Sequence, residues 1–180
     1  MRNAFDEASG IEAESLRILR PFIEQRAMNG QYVTTSKGRL ARELQRTCGD
    51  VFLNATDGKI YALEIKAELE NRSDNFFLEI WSNLSRHTTG WMFHLNCDTL
   101  LYHFIKSDEL YVINSMKLKH WAFAEETGKP GHIWRYSFRR QSKYTQLNDT
   151  WGACVPIAHI EKSVGFQKFA PLAMQQDEAA

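Results

Sequence analysis

Two carboxylates and one ammonium are the side chains of this chain that could do chemistry together: Asp50, Glu64 and Lys66. Glu64 and Lys66 are two residues apart, so on a β-strand they would point to the same side. With Asp50 beside them they could hold a divalent cation and activate a water molecule for phosphodiester hydrolysis. An acid–X–lysine pair on an edge strand is also a common surface feature, in which the lysine guards against aggregation. The position of Glu64 favours a metal-binding site over a surface pair, because it interrupts an apolar segment where a charge is costly unless paired or metal-bound.

A β-hairpin is predicted to position these side chains. Apolar, β-prone segments at 51–53 and 60–65 flank Asp57-Gly58, a strong two-residue turn signal. The hairpin would bring Asp50 close to Glu64 and Lys66. Residues 11–28 have apolar residues at helical spacing and predict a preceding helix, which Pro21 is expected to kink or divide.

This order of elements resembles the PD-(D/E)XK nuclease superfamily over residues 11–81, its common core. Gly49 stands where the proline of the motif would be. The resemblance implies that Asp50, Glu64 and the backbone carbonyl of Ile65 bind Mg²⁺, which Mn²⁺ can replace. It also implies that Lys66 orients or helps to deprotonate the attacking water. Mg²⁺ prefers oxygen ligands and keeps several waters, so two carboxylates suffice.

Three further residues lie near enough in sequence to join such a site. Glu14, or its neighbour Glu12, is on the first helix, where family members often carry an extra acid; a helix acid is otherwise an ordinary solvated residue. Glu79 interrupts the apolar segment 76–81, expected to pair beside the strand of Glu64, and is otherwise a buried structural acid. Gln45 could contact the site or cap the preceding turn.

Two basic segments could bind the phosphates of a nucleic acid, since such contacts give affinity without sequence information. Each is otherwise a solvated surface. The second mixes charge with aromatic residues and would suit single-stranded or distorted substrates. The residues are Lys37, Arg39, Arg42 and Arg46 in the first segment, and Arg139, Arg140 and Lys143 in the second.

The element pattern predicts a single α+β domain over residues 1–180 with a central mixed sheet, and the resemblance implies that helices flank this sheet as in restriction endonucleases. After the core, a hairpin is expected at 99–114, a helix at 115–123, and a strand pair at 133–139 and 153–157. The tail, 174–180, is polar and expected to be disordered.

Composition limits the class of protein. Hydrophobic residues make up 43%, which indicates a globular chain, and Lys+Arg and Asp+Glu balance at 22 each, which neither indicates nor excludes nucleic acid. Three scattered cysteines argue against a zinc ribbon or a disulfide framework. No signal sequence or membrane-length apolar segment is evident, so a cytoplasmic protein without a membrane partner is expected.

The expected function is a Mg²⁺-dependent nuclease acting on DNA. Two alternatives remain: a non-catalytic nucleic-acid- or protein-binding module on the same fold, such as a phage-encoded modulator of host defence, or an RNA-processing nuclease. The small size is associated with a phage, mobile-element or repair setting, and cleavage of both strands would favour a homodimer. The sequence has no HExxH motif, Gly-rich phosphate loop or G-x-S-x-G elbow that would indicate another chemistry.

Overall fold

Both helices and strands occur along the chain. The computed structural model describes residues 4–34, 48–125, 128–141 and 149–178. The elements of these residues are α1 (Ala4–Arg26), β1 (Ala27–Thr34), β2 (Val51–Ala55), β3 (Ile60–Glu68), β4 (Asn75–Asn83), β5 (Thr88–Thr89), α2 (Trp91–His94), β6 (Thr99–Phe104), β7 (Glu109–Asn114), α3 (Ser115–Phe123), β8 (Phe138–Arg140), β9 (Trp151–Pro156), α4 (Ile157–Ser163), β10 (Phe166–Phe169) and α5 (Pro171–Glu178). The expected α+β class is confirmed.

The described residues form two units, each with its own sheet. The first unit consists of the described residues within Met1–Asn71, Asn96–Ser115 and Phe166–Ala180, and the second of those within Arg72–Leu95 and Met116–Gly165. A six-stranded mixed sheet in the order β1-β2-β3-β6-β7-β10 belongs to the first unit, and a four-stranded antiparallel sheet in the order β5-β4-β9-β8 belongs to the second. The strands are therefore divided between two sheets instead of sharing one central sheet.

The core of the first unit forms where α1 packs on the six-stranded sheet. Leu19 and Ile23 of α1 are fully buried with Val51, Leu63 and Ile65 of the central strands. These apolar positions alternate along β3 with Glu64, as expected for a strand with two different faces. The helix is not divided at Pro21, because packing of the apolar residues on both sides outweighs the hydrogen bond that proline removes.

The β2–β3 hairpin closes through a longer turn than the sequence suggested. Ala55 N–H donates to the carbonyl of Lys59 at 2.8 Å, and Gly58 N–H donates to the carbonyl of Ala55 at 2.9 Å. Three residues, 56–58, therefore form the loop, with Gly58 at φ +79°. This is the three-residue hairpin in which a glycine takes the left-handed position.

The second half of the chain confirms the hairpin of β6 and β7, the helix α3 and the pairing of β8 with β9. Residues 133–135, the first part of the strand predicted at 133–139, instead lie in a short 3-10 helix, His132–Arg135, before β8. Residues Pro171–Glu178, which include most of the tail expected to be disordered, form α5. Asp108 explains the last difference, because its carboxylate accepts hydrogen bonds from the N–H groups of Leu172 and Ala173 at the start of α5. No described helix is long and apolar enough to cross a membrane.

Candidate active site

Gly49 allows the backbone to place Asp50 at the start of β2. Gly49 has φ +136°, a conformation that side chains disfavour and that proline, with its fixed negative φ, cannot adopt. A Cβ atom there would lie 2.7 Å from the carbonyl oxygen of Leu63. This close approach lets Asp50 N–H donate to the same carbonyl at 2.8 Å. The glycine at the motif's proline position thus has a structural reason in this chain.

Asp50 is fixed beside the glutamate-bearing strand by its side chain as well. Its Oδ2 accepts a hydrogen bond from Ile65 N–H at 2.8 Å. Val51 pairs with Leu63 in the antiparallel β2–β3 ladder, so Asp50 comes next to the segment that holds Glu64 and Lys66. The hairpin therefore brings together the three residues that the sequence pattern selected.

Lys66 is the centre of the cluster. Its Nζ lies 2.9 Å from Glu64 Oε1 and 3.2 Å from Glu12 Oε1. The side chains of Glu64 and Lys66 are 16% and 19% exposed, whereas that of Glu12 is 44% exposed. With Asp50 included, three carboxylates surround one ammonium, so full ionisation would leave two negative charges uncompensated.

Burial and neighbouring charges oppose each other at Glu64. Burial raises the pKa of Glu64, the nearby Lys66 ammonium lowers it, and the carboxylates of Asp50 and Glu12 raise it again, to a pKa of about 7. A positive charge placed between the carboxylates would favour the ionised form. Glu64 therefore has the environment of a carboxyl group that a bound cation would stabilise in its ionised form.

Lys66 shows the opposite balance. Burial alone would lower the pKa of the Lys66 ammonium, but the carboxylates of Glu64, Glu12 and Asp50 outweigh this effect and raise the pKa above its ordinary value. Lys66 is therefore protonated at neutral pH. In this state it can donate hydrogen bonds and supply positive charge, but it cannot accept a proton.

Glu12, and not Glu14, is the helix acid that reaches the cluster. Glu14 forms an ion pair with Arg17 on the exposed surface, at 2.7 Å, and this hydrogen bond lowers the pKa of Glu14. Helical spacing could have identified Glu12 as the acid that faces the sheet, because Glu12 precedes the buried residues Ser15 and Leu19 by one and two turns. Glu14 falls off that face of α1.

Glu79 belongs to the second unit, so the expected pairing of its strand beside β3 is wrong. Its strand β4 pairs with β5 and β9. Glu79 Oε1 accepts a hydrogen bond from Trp91 N–H, the first residue of α2, at 3.3 Å. The carboxylate thus serves the start of a helix, in agreement with the structural role given above as its alternative.

The predicted phosphate-binding residues divide into described and undescribed ones. Arg139 is exposed on β8. Arg140 Nε lies 2.9 Å from Asp149 Oδ1, and its guanidinium lies 5.1 Å from the ring centroid of Trp151. Arg140 is therefore engaged within its own unit. Outside the described residues are Gln45, Lys37, Arg39, Arg42, Arg46 and Lys143.

The donors at the cluster match the chemistry of Mg²⁺. Asp50 and Glu64 supply carboxylate oxygens, and the remaining positions of a Mg²⁺ ion are commonly taken by water. Among the described residues no group of three or more His, Cys, Asp or Glu side chains is arranged to hold a metal ion. A cation here would thus rely on two carboxylates, a backbone carbonyl and water, the set that the motif implies.

Comparison with known proteins leaves the family open. No family model, curated protein or solved structure matches the chain. The resemblance to the PD-(D/E)XK superfamily stays a prediction from the residues of the motif.

Proposed function

We propose that the chain is a Mg²⁺-dependent nuclease that hydrolyses phosphodiester bonds in DNA. The observation that carries the proposal is the convergence of Glu64 and Glu12 on Lys66 Nζ, at 2.9 and 3.2 Å, beside Asp50. Three acids and one lysine, from α1 and from the β2–β3 hairpin with the residue before it, share a single half-buried position, and their burial carries a desolvation penalty that an ordinary surface pair avoids. We infer that these charges serve to bind a cation and a charged substrate.

Each residue has a separate task in the proposed reaction. Asp50, Glu64 and the carbonyl of Ile65 would hold Mg²⁺, which when bound lowers the pKa of a coordinated water and offsets charge on the phosphate. Lys66, held as an ammonium, donates a hydrogen bond that orients the attacking water or neutralises the phosphate. Glu12 keeps Lys66 in place and charged. Lys66 is therefore an electrostatic and orienting group, whereas a role as general base would need its pKa lowered.

A surface of the second unit supports nucleic acid as the substrate class. Trp134 is 44% exposed and stacks on Phe138, with ring centroids 5.5 Å apart and planes at 16°. Arg135 and Arg139 are exposed beside these rings in sequence. Exposed aromatic rings offer stacking surfaces to unpaired bases, and arginine side chains bind phosphates.

The setting proposed for this activity is the cytoplasm. Cys48, Cys97 and Cys154 are all free thiols, as in proteins of reducing compartments. Burial raises the pKa of the Cys97 thiol to about 11, so it stays protonated at neutral pH and does not compete as a nucleophile.

A cleavage assay with matched variants tests the proposal. Plasmid DNA, single-stranded DNA and RNA are incubated with the wild type, Glu64→Ala and Glu14→Ala, each with Mg²⁺, Mn²⁺ or a chelator. We expect metal-dependent cleavage of DNA by the wild type and by Glu14→Ala, and a loss of at least a hundredfold in Glu64→Ala. Equal activity of the wild type and Glu64→Ala would refute the proposed site.

The remaining outcomes separate the alternatives. Cleavage of RNA without cleavage of DNA would assign the RNA-processing reaction to the same residues. Salt-dependent binding of nucleic acid without turnover in either metal would identify a binding module and contradict a nuclease.

A further inference from the structure

An apolar cavity opens in the first unit between the C-terminal part of α1 and the six-stranded sheet. Its volume is about 380 Å³, and buried side chains of Ile23, Leu53 and Leu101 contribute to its lining. Small-molecule sites typically measure roughly 300–1,000 Å³ and combine apolar walls with a few polar groups. The cavity has the size and the walls of a site for a compact ligand.

Arg26, the last residue of α1, brings a positive charge to this cavity. Its guanidinium carbon lies 3.5 Å from the ring centroid of Phe22 and 5.1 Å from that of Phe169. Arg26 Nη1 donates to the backbone carbonyl of Phe22 at 3.0 Å and to Gln25 Oε1 at 3.4 Å. The rings and these two bonds hold the plane of the guanidinium in one orientation.

No carboxylate of the described residues forms an ion pair with Arg26. Burial lowers the pKa of Arg26, as expected for a half-buried cation without a counter-ion. Nε and Nη2 make no hydrogen bond within the described part of the chain. Two of the nitrogens that grip a carboxylate in a bidentate pair are therefore available for a ligand.

Asp57, the acid among the described residues that line the cavity, is already engaged. Its Oδ2 accepts from the Tyr61 hydroxyl at 2.8 Å, and its Oδ1 accepts from Lys59 N–H at 3.0 Å. These hydrogen bonds, the one from Lys59 above all, lower the pKa of Asp57, so it keeps its charge and a second anion beside it would be repelled. The anionic end of a ligand is thus directed to Arg26.

We propose that this cavity binds a small monocarboxylic acid with an apolar body, whose carboxylate pairs with Arg26 and whose body contacts Leu53 and Leu101. A neutral ligand would leave the Arg26 charge uncompensated, and a cationic one would add repulsion. The site uses none of Asp50, Glu64 and Lys66, so it stands independently of the nuclease proposal.

Two ligands with the same apolar body test the inference on the full chain. Phenylbutyrate carries a carboxylate, and phenylbutyramide replaces it with a neutral amide of similar size. Calorimetric titration is expected to give one site for phenylbutyrate and at least tenfold weaker binding of phenylbutyramide. Failure of both ligands to bind, or equal affinity for the two, would overturn the proposal.

Two arginine variants locate the charge effect. Arg26→Gln should remove the preference for the acid over the amide. Arg20→Gln, which changes an exposed arginine of the same helix that pairs with Glu24 at 2.8 Å, should leave the preference unchanged. A preference that survives in Arg26→Gln would contradict the assignment of the carboxylate to this residue.

A measurement on the wild type covers the case in which Arg26→Gln fails to fold. Methyl resonances of Leu101 and Val112, both in the lining, should shift on titration with phenylbutyrate and saturate at the calorimetric stoichiometry. Shifts confined to methyl groups outside the cavity would place the ligand elsewhere and refute the site.

Discussion

At the scale of single residues, the cluster around Lys66 combines charges from two elements. Glu64 and Lys66 come from β3, and Glu12 comes from α1. Because the side chain of Glu12 is more exposed than that of Glu64, replacing Glu12 should change the free energy of unfolding only slightly while it removes a negative charge beside Lys66. A substitution at Glu12 can therefore test how Lys66 is positioned without unfolding the protein.

Glu12→Gln is expected to lower the rate of DNA cleavage by about tenfold, which corresponds to about 1.4 kcal/mol of transition-state stabilisation. The amide keeps the size of the side chain but removes one of the charges that raise the pKa of Lys66. Glu14→Gln, two residues away and paired with Arg17, is the matched control and should cleave like the wild type. Similar rates for Glu12→Gln and the wild type would exclude a role for Glu12.

Gly49 gives a second prediction at this scale. Gly49→Ala should lower the free energy of unfolding by about 1–3 kcal/mol, because the alanine would be strained at φ +136° and its Cβ would contact the carbonyl of Leu63. Gly10→Ala, in α1 with open space around it, should instead raise stability by about 0.5–1 kcal/mol. Urea unfolding measures both, and stabilisation by Gly49→Ala would contradict the strained backbone.

At the scale of elements, a buried polar pair connects α1 to β6. Ser15 Oγ and His103 Nδ1 lie 2.9 Å apart, and both residues are fully buried. His103 Nε2 has no hydrogen-bond partner among the described residues. Burial lowers the pKa of His103 to about 4, so the folded state holds a neutral imidazole where the unfolded chain would hold an imidazolium at mildly acidic pH.

The contribution of His103 to stability should therefore fall as the pH decreases from about 6.5 to about 4, whereas Glu64, whose pKa is raised to about 7, contributes in the opposite direction. At His103 the folded state binds fewer protons than the unfolded state in this window, and the shift in the pKa of His103 corresponds to a loss of about 3 kcal/mol. Urea unfolding at pH 7.5, 5.5 and 4.5 would measure it. The double variant Ser15→Ala, His103→Phe should gain up to about 3 kcal/mol relative to the wild type as the pH falls, because the contribution of Glu64 is the same in both proteins, whereas His120→Gln at an exposed position should follow the wild type. A double variant as pH-sensitive as the wild type would exclude His103 as the source.

The aromatic surface of the second unit leads to a prediction about binding. In the Glu64→Ala background without metal, Trp134→Ala should weaken binding of single-stranded DNA by about 1–3 kcal/mol, the usual contribution of one stacked base. Trp134→Phe should retain most of the affinity, since it keeps a ring next to Phe138. Met116→Ala, at another exposed apolar residue of this unit, is the control. Fluorescence anisotropy measures the affinities, and an unchanged affinity in Trp134→Ala would remove the stacking surface from the proposed function.

At the scale of the whole molecule, local sequence patterns predicted the helices and strands better than they predicted which strands pair with one another. The hairpin of β2 and β3, the hairpin of β6 and β7 and the helix α3 follow from alternation, turn residues and helical spacing. The separation of β4 from β3 could not be predicted in this way, because an apolar strand carries no local sign of the sheet that it joins. The acid–lysine cluster was predictable since it is formed mainly by one hairpin.

Contacts between segments that are distant in sequence account for the structural features that local sequence patterns did not predict. Asp108 stabilises the start of α5 from more than 60 positions away, and Ser15 meets His103 across 88 positions. The cavity beside Arg26 is likewise bordered by residues of α1, β3 and β10. These features depend on tertiary packing, which overrides local propensity.

The C-terminal strand is expected to be essential to the first unit although it comes last in the chain. β10 pairs with β7 along Phe166–Phe169, where Phe166 contacts Tyr111 edge to face at 5.0 Å and Phe169 contacts Phe22 at 5.1 Å. Truncation after Gly165 should remove both contacts, expose the edge of β7, and cost about 3–6 kcal/mol, a value scaled from the large-to-small replacement of buried aromatic residues.

Truncation after Ala170 is the matched comparison, since it removes α5 but leaves β10 in place. It should cost about 2–3 kcal/mol, because Leu172 and Ala173 are exposed and the losses are their hydrogen bonding to Asp108 and the packing of Pro171 and Met174. Total stabilities of about 5–15 kcal/mol leave room to measure both by urea unfolding. Equal losses for the two truncations would mean that β10 adds little to the sheet, and a large loss on removing α5 alone would assign the stabilisation to the helix.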